Sequence, residues 1–201
     1  MEGAVSAAPA PPILLASTSP QRRAILEQLG LPFEVVAPRY KEHDSPDADP
    51  VELVREHARG KARSVAGEAG DRPVLGVDTT VVRAGRVYAK AAGPEEAAEM
   101  LEALGGNTHE VISGLCLVTP GWEELRHEVT RVTFRPLTPR DIAAYLASGE
   151  WQDRAGAYAI QGLGASLVER IEGDYLNVVG LPAALLIALL AQRFAGTYGV
   201  G

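Results

Sequence analysis

Hydrophobic and polar positions along this chain form short apolar runs that alternate with stretches of helical periodicity. The apolar runs predict strands at residues 13–16, 33–36, 74–77, 110–119 and 125–134. Residues 81–88 predict a hairpin that turns at Ala84 and Gly85. Apolar spacing near 3.6 residues, bounded by residues that start or stop helices, predicts helices at residues 20–29, 50–65, 94–104, 139–147 and 181–191.

The order of these elements indicates the fold class and the domain organisation. Strands alternate with helices, while the hairpin and the two long strands add antiparallel pairs, so we expect an α/β fold with a mixed, twisted sheet flanked by helices. With 201 residues, the chain is long enough to bury one proper core. We predict a flexible N-terminal extension at residues 1–12, a single domain at 13–195 and a C-terminal tail at 196–201.

Composition excludes several classes of partner. The formal net charge is −7 and the isoelectric point is about 5.2, which argues against a nucleic acid polymer or an anionic membrane surface as partner. The most apolar segment, residues 181–191, is shorter than the ~20 residues that a membrane helix needs. We therefore expect a cytoplasmic protein with no membrane partner. Cys116 lies in an apolar run and is expected to be a buried strand residue.

A hydroxyl-rich turn follows the first predicted strand. Ser17 and Ser19 precede Pro20, and Ser19 is a good N-cap for a helix that begins at Pro20. Free backbone N–H groups at a helix start, two hydroxyls and the guanidinium groups of Arg22 and Arg23 together attract anions. The alternative is an ordinary capped helix whose arginines are solvated, and the segment alone leaves both interpretations open.

Two carboxylates and two lysines are further candidates for chemistry on phosphates. Asp78 directly follows the predicted strand at 74–77, and active groups of open α/β sheets often lie beyond a strand end. Glu42 lies in a charged loop, Lys61 on a predicted helix and Lys90 after the hairpin. Carboxylates can hold a divalent metal while cations hold phosphates. For each residue the alternative is structural, as a turn cap for Asp78 or a solvated position for the others.

A glycine-rich segment surrounds Gln161. Its small residues allow close backbone approach to a planar ligand, and the amide of Gln161 can both donate and accept hydrogen bonds. A base-recognition loop and a tight strand-to-loop junction fit this pattern equally well. The four histidines show no metal-ligand spacing, so a zinc site is not expected. They are His43, His57, His109 and His127.

Several separated motifs, in one order, give the chain a family resemblance. They lie at residues 15–20, 76–79, 108–111, 155–158, 160–162, 172–175 and 177–182. In these motifs the chain resembles the Maf family of nucleotide pyrophosphatases, and the resemblance runs from residue 13 to about residue 190. It implies a two-lobed fold with a central cleft, and hydrolysis of a nucleoside triphosphate to the monophosphate and pyrophosphate. It also implies a divalent cation, Mg²⁺ or Mn²⁺, and a homodimer as an expected assembly.

The resemblance also implies roles for individual residues. Asp78 matches the proton acceptor, and Glu42, Lys61 and Lys90 match the charged residues around the phosphates and the metal. Glu42 and Asp78 are the implied metal ligands. Residues implied to bind the substrate are Ser17, Ser19, Gln21, Arg22, Thr79 and Gln161. Thr79 and Gln161 in particular resemble the branch that acts on dTTP and UTP.

The chain departs from the family pattern at two positions. Gln21 stands where the family usually has an arginine, which the dTTP/UTP branch uses in substrate selection, and Ala91 stands where the family usually has proline. Because of Gln21, a different base preference such as 7-methyl-GTP is an alternative. A non-catalytic nucleotide-binding regulator of cell division is a second alternative, although the intact charged residues speak against it.

Overall fold

A computed structural model of the chain describes residues 10–43 and 48–199. Most of the predicted extension, residues 1–9, and the end of the predicted tail lie outside the described residues. The described strands are β1 (Ile13–Ala16), β2 (Phe33–Val36), β3 (Val74–Arg83), β4 (Arg86–Tyr88), β5 (Thr108–Thr119), β6 (Trp122–Phe134) and β7 (Val168–Glu172). The helices are α1 (Pro20–Gln28), α2 (Pro50–Ala66), α3 (Pro94–Leu104), α4 (Pro139–Ser148), α5 (Tyr175–Val179) and α6 (Ala183–Arg193), with a 3₁₀ turn at Gly162–Leu167.

The strands form one mixed sheet, which confirms the predicted fold class. Its order is β2-β1-β3-β5-β6-β7, and β4 pairs with the end of β3. Strand β1 is parallel to β2 and β3, whereas all other pairs are antiparallel. Helices α1 and α6 pack with β1 and β3 in one hydrophobic cluster, and α3 and α4 contribute to another around Phe134. We call the parts of the molecule around these two clusters its two lobes. A cleft opens between them.

Strand β3 is longer than the sequence predicts, and this changes the position of Asp78. The sequence predicts that the strand ends at Val77, but β5 pairs with β3 continuously from Val74 to Val82. The expectation that Asp78 lies beyond a strand end is therefore wrong, because the cross-strand pairs hold it in mid-strand. On the opposite edge, β1 pairs only with Val74 and Leu75, and β4 begins pairing at Val81. Of the residues between these pairings, Asp78, Thr79 and Thr80 line the cleft.

Two glycines allow helix α2 to lie directly on the sheet. A Cβ atom added to Gly76 would lie 2.1 Å from the Ala58 carbonyl oxygen, and one added to Gly114 would lie 2.2 Å from the Val54 carbonyl oxygen. Gly114 pairs with Asp78 across the β3–β5 ladder, so both residues share the face on which α2 packs. This close approach brings the side chains of α2 to Asp78.

None of the described helices is long and apolar enough to cross a membrane. Helix α6, the most apolar of them, instead packs into the cluster that contains β1 and α1. Tyr198, which follows α6, is also buried there and donates a hydrogen bond to the Pro11 carbonyl oxygen at 2.8 Å. The two ends of the described chain are therefore joined.

We expect the substitution Gly114→Ala to destabilise the fold. The new methyl group would meet the backbone of α2, which cannot yield locally, and overpacking of this kind costs about 1–3 kcal/mol. Gly67→Ala is the matched control, since Gly67 has an α-helical backbone and open space around its Cβ position. That control is expected to change the free energy of unfolding by less than about 1 kcal/mol. Equal effects of the two substitutions in urea denaturation would contradict the proposed packing.

His109 predicts a pH dependence of stability. It is buried between Phe134 and Tyr158, and burial, with a smaller contribution from the charge of Arg83, lowers its pKa from 6.5 to about 4. The unfolded chain binds this proton below pH 6.5 and the native state does not until about pH 4, so the free energy of unfolding should fall by about 3 kcal/mol across that window.

Denaturant titrations at several pH values test this expectation. His109→Gln should reduce the slope of stability against pH between about 4 and 6.5, because the abnormal titration is then absent. The exposed His127 is the control, and His127→Gln should leave the slope as in the wild type. If His109→Gln also leaves it unchanged, the buried imidazole does not cause the pH dependence.

Candidate active site

The cleft has a volume of about 1140 Å³ and is lined by segments from both lobes. It brings together most of the site residues that the sequence predicts, although they are far apart in the chain. Those that line it are Ser17, Ser19, Gln21, Arg22, Glu42, Lys61, Asp78, Thr79 and Lys90. His57, which the sequence analysis did not select, lines it as well.

Four charged or titratable side chains form a compact group, which we call the carboxylate cluster: Glu42, His57, Lys61 and Asp78. The Lys61 ammonium lies 2.5 Å from Asp78 Oδ1 and 2.6 Å from Glu42 Oε1. His57 Nδ1 lies 3.4 Å from the other Asp78 oxygen. His57 and Lys61 are four residues apart on α2, so they share one face of the helix.

Asp78 is held as a carboxylate. Burial by itself raises the pKa of this group, but the hydrogen bond with His57, the charge and hydrogen bond of Lys61, and the charge of Arg22 outweigh that effect. The pKa of Asp78 therefore lies below its ordinary value of 3.8. Asp78 is consequently ionised at neutral pH and can accept hydrogen bonds or bind a cation.

The cluster could hold a metal ion. One ligand atom each from Glu42, His57 and Asp78 lie within 4.8 Å of one another. Two carboxylates and an imidazole are a donor set that suits several divalent cations. The Lys61 ammonium lies between the two carboxylates, so their negative charges attract at least this one cation.

The turn from Ser17 to Arg22, here called the serine–arginine turn, lines the same cleft as Asp78. Ser19 caps α1 by accepting a hydrogen bond from the Arg22 N–H at 3.5 Å, as predicted. The Arg22 guanidinium donates to the Gly180 carbonyl at 2.9 Å, to Ser17 Oγ at 3.1 Å and to Thr79 Oγ1 at 3.3 Å. Its hydrogen-bond acceptors in the described chain are all neutral.

The electrostatic setting of Arg22 explains why an anion would bind here. Burial lowers the pKa of Arg22, and the nearby charges of Asp78 and Glu42 raise it. An arginine remains protonated under such opposing effects. Among the described residues no acid forms an ion pair with it, so its charge is available to a phosphate that enters the cleft. Ser113 forms a 2.8 Å hydrogen bond with Thr79 Oγ1, which is one of the acceptors of the Arg22 guanidinium.

Gln161 does not line the main cleft. It lines a smaller adjoining cavity of about 390 Å³, where Gln21, Tyr175 and Val179 also lie. Gln21 and Val179 line both cavities, so the smaller one continues from the serine–arginine turn. Gln21 Oε1 accepts a hydrogen bond from Ser19 Oγ at 3.1 Å, which fixes the amide at the junction. The structure thus brings Gln21 and Gln161 to one place.

Lys90 also lines the cleft, on a different segment from the helix that carries His57 and Lys61. It is exposed and forms an isolated antiparallel bridge with Ala155. The bridge joins the segment after β4 to the turn before Gly156. Lys90 therefore contributes to the cleft from a second lobe, separately from Lys61.

Sequence reasoning missed His57, Arg86 and Arg154, which all line the cleft. A signal for His57 was available, since its spacing from Lys61 places both on one face of a helix whose lysine was already a candidate. No second histidine of the described chain accompanies His57, because the other potential ligands are the carboxylates of Glu42 and Asp78. Arg86 gave no comparable signal in its short hairpin strand. Arg154 directly precedes the motif at residues 155–158, and that position was the available signal for it.

Known proteins resemble this chain over most of its length. A family model described as Maf-like protein matches residues 12–193. A dTTP/UTP pyrophosphatase of Deinococcus radiodurans is 44% identical over 191 residues, covering 95% of this chain and 97% of that protein. Relatives with the same name from Gloeobacter violaceus and Moorella thermoacetica are 48% and 50% identical, covering 90% and 89% of this chain and 95% and 93% of their own lengths. The chain belongs to the Maf family.

Proposed function

We propose that this protein is a nucleoside triphosphate pyrophosphatase that hydrolyses dTTP and UTP to the monophosphate and pyrophosphate. The observation that carries the proposal is the meeting of the carboxylate cluster and the serine–arginine turn in one cleft. One supplies groups that can act on water and the other supplies donors for phosphate. The relatives named dTTP/UTP pyrophosphatases support the choice of substrates.

The reaction needs a water oxygen to bond to the α-phosphorus. The bond from that phosphorus to the oxygen shared with the β-phosphate then breaks, its electron pair leaves with pyrophosphate, and the water gives up a proton. Asp78 is ionised and faces the cleft, so we assign it as the proton acceptor. Lys61 holds one oxygen of this carboxylate and thereby fixes its orientation.

Glu42, His57 and Asp78 would hold the divalent cation, which we propose to be Mg²⁺ or Mn²⁺. When bound, such a cation lowers the pKa of water and stabilises negative charge on phosphate oxygens. This contribution complements Asp78, because a carboxylate with a lowered pKa is a weak base on its own. Lys61 lies between two of the three ligands and would exchange its carboxylate contacts for phosphate contacts.

The remaining residues would bind the substrate. Arg22, with Ser17 and Ser19 beside it, offers donors to a phosphate from the helix start. Lys90 offers a charge from the other lobe. Because the described residues place no ion-paired acid on Arg22 or Lys90, both can neutralise phosphate without first breaking an ion pair.

Selection of the base is assigned to the smaller cavity and its entrance. The amides of Gln21 and Gln161 and the hydroxyl of Thr79 can donate and accept, as the carbonyl and N–H groups of uracil and thymine require. Gln21 keeps its amide nitrogen free of hydrogen bonds within the described chain. We assign it the selecting role that the usual arginine has in the dTTP/UTP branch. We place the enzyme in the cytoplasm, where nucleoside triphosphates are consumed, and retain a homodimer as a prediction.

We expect Asp78→Asn to lower kcat for pyrophosphate release from dTTP by about 100-fold or more, the usual size of a general base contribution. The amide preserves the shape of the side chain but cannot accept a proton. Asp71→Asn is the control, since Asp71 is an exposed carboxylate outside the cleft residues. It should retain wild-type activity, and both variants should show a wild-type melting temperature within a few degrees.

The same assay separates the enzyme from a nucleotide-binding regulator. Wild-type protein that binds dTTP but releases no pyrophosphate with either Mg²⁺ or Mn²⁺ would refute the proposed reaction. Full activity of Asp78→Asn would refute the assignment of its carboxylate while leaving the reaction intact.

We expect Gln21→Ala to lower kcat/KM for dTTP and UTP by about tenfold, the loss expected for a paired hydrogen bond to a base edge. Activity toward 7-methyl-GTP should change less, so the ratio of the two rates is the informative measurement. Gln192→Ala, an exposed glutamine on α6, serves as the control. Equal losses for all triphosphates would show that Gln21 positions the serine–arginine turn and does not select the base.

A further inference from the structure

The side of the cleft beside β4 carries three cations that the proposed reaction leaves largely unused. Arg86 lies on β4, Lys90 follows it, and Arg154 lies in the turn after α4. All three line the cleft together with the neighbouring residues of both segments. We call this group the arginine wall.

The two segments of the arginine wall are joined by backbone hydrogen bonds. The Gly156 N–H donates to the Tyr88 carbonyl at 2.8 Å and also contacts the Ala89 carbonyl at 3.2 Å. Lys90 and Ala155 form the isolated bridge between them. Added Cβ atoms at Gly156 would lie 3.0 Å from the Val81 side chain, so the turn packs closely on β3. The two segments that carry the three cations are therefore hydrogen-bonded to each other and are not independent loops.

The turn itself adopts a costly backbone conformation. Asp153 has a φ of 58° and Ala157 has a φ of 53°, both in the left-handed region that disfavours residues other than glycine. Arg154 lies between them and is half-buried. Such conformations persist where the surrounding structure imposes them, and they concentrate at binding sites.

The charges of the arginine wall lack acidic partners. Within the described chain, no carboxylate forms an ion pair with Arg86, Lys90 or Arg154, although arginines elsewhere do pair, as Arg63 does with Glu123. The Arg86 guanidinium instead lies over the Tyr88 ring, 5.0 Å from its centroid. Asp153 is the acid that lines this side, so the wall retains a net positive charge.

The guanidinium of Arg154 makes no hydrogen bond within the described chain. Its Nε atom is buried and has no hydrogen-bond partner. Because this Nε–H is enclosed by protein atoms, an incoming oxygen would bind the terminal N–H groups of the guanidinium instead. The rest of the guanidinium belongs to a residue that faces the cleft, where a phosphate oxygen can reach it.

We propose that Arg154 and Arg86 bind the β- and γ-phosphates of the substrate together with Lys90, and so hold the departing pyrophosphate. This inference rests on the proposed function. The carboxylate cluster carries two acids that repel the terminal phosphates, whereas the arginine wall attracts them. The triphosphate is thereby oriented with its α-phosphate at Asp78 and its leaving group at the arginines. Charge that develops on the leaving group during bond cleavage is stabilised there.

Binding of the two product fragments tests this orientation. Calorimetry would measure the affinity of inorganic pyrophosphate and of dTMP, each with Mg²⁺, for the wild type and for Arg154→Gln, Arg86→Gln and Arg140→Gln. Arg140 is an exposed arginine on α4 outside the cleft residues, so its variant controls for the change in net charge. We expect Arg154→Gln to weaken pyrophosphate binding about tenfold or more, as loss of a charge-assisted hydrogen bond implies.

The two ligands distinguish binding from a general effect on the fold. Arg86→Gln should weaken pyrophosphate binding less, since Arg86 is exposed, while dTMP affinity should stay within about twofold in both variants. Arg154→Lys should recover part of the pyrophosphate affinity because the charge remains. Unchanged pyrophosphate affinity in Arg154→Gln, or an equal loss of dTMP affinity, would overturn the proposal.

Failure of the proposed function would be visible separately. If the wild type releases no pyrophosphate from dTTP but Arg154→Gln still weakens pyrophosphate binding selectively, the arginine wall binds phosphates and the hydrolase assignment fails. If the wild type hydrolyses dTTP and Arg154→Gln binds pyrophosphate as tightly as the wild type does, the hydrolase assignment stands and the assignment of the arginine wall fails.

Discussion

The close approach of helix α2 to strands β3 and β5 is the constraint on which the site depends. Gly76 and Gly114 have no side chains, and the backbone of α2 occupies the space where Cβ atoms would lie. Any larger residue would move the helix away from the sheet. His57 and Lys61 reach Asp78 only because the helix is this near. Two small residues of the core therefore determine the geometry of a charged cluster.

That geometry also explains how a carboxylate persists in the middle of a buried strand. An isolated charge at Asp78 would be costly, and Lys61 and His57 offset the cost by binding its two oxygens. Replacing such a pair by apolar residues is often neutral or favourable for stability, so stability alone gives little reason to bury it. A functional role explains the buried ion pair of Lys61 and Asp78 better. In that role Lys61 holds the carboxylates of Asp78 and Glu42 in place until another cation or a phosphate binds.

Local patterns predicted the elements better than they predicted the contacts between them. The cap at Ser19 and the apolar periodicity of α2 are local, and helices α1 and α2 begin as expected. The extension of β3 past Asp78 depends on pairing with β5, more than thirty residues away. The end of the apolar run at Val77 therefore does not mark the end of the strand. The resemblance supplied Glu42, which the loop alone did not favour. His57 was missed because its partners lie on other elements.

The distribution of charge in the cleft reconciles an acidic protein with a highly anionic substrate. A net charge of −7 repels nucleoside triphosphates at long range, but screening confines that effect to about 8 Å at physiological salt. Within the cleft, the local arrangement dominates. Acids and cations are mixed around Asp78, whereas Arg86, Lys90 and Arg154 line the part of the cleft beside β4. On the proposed assignment, a monophosphate contacts one of these regions and a triphosphate contacts both, so charge selects for length of the phosphate chain as well as for its orientation.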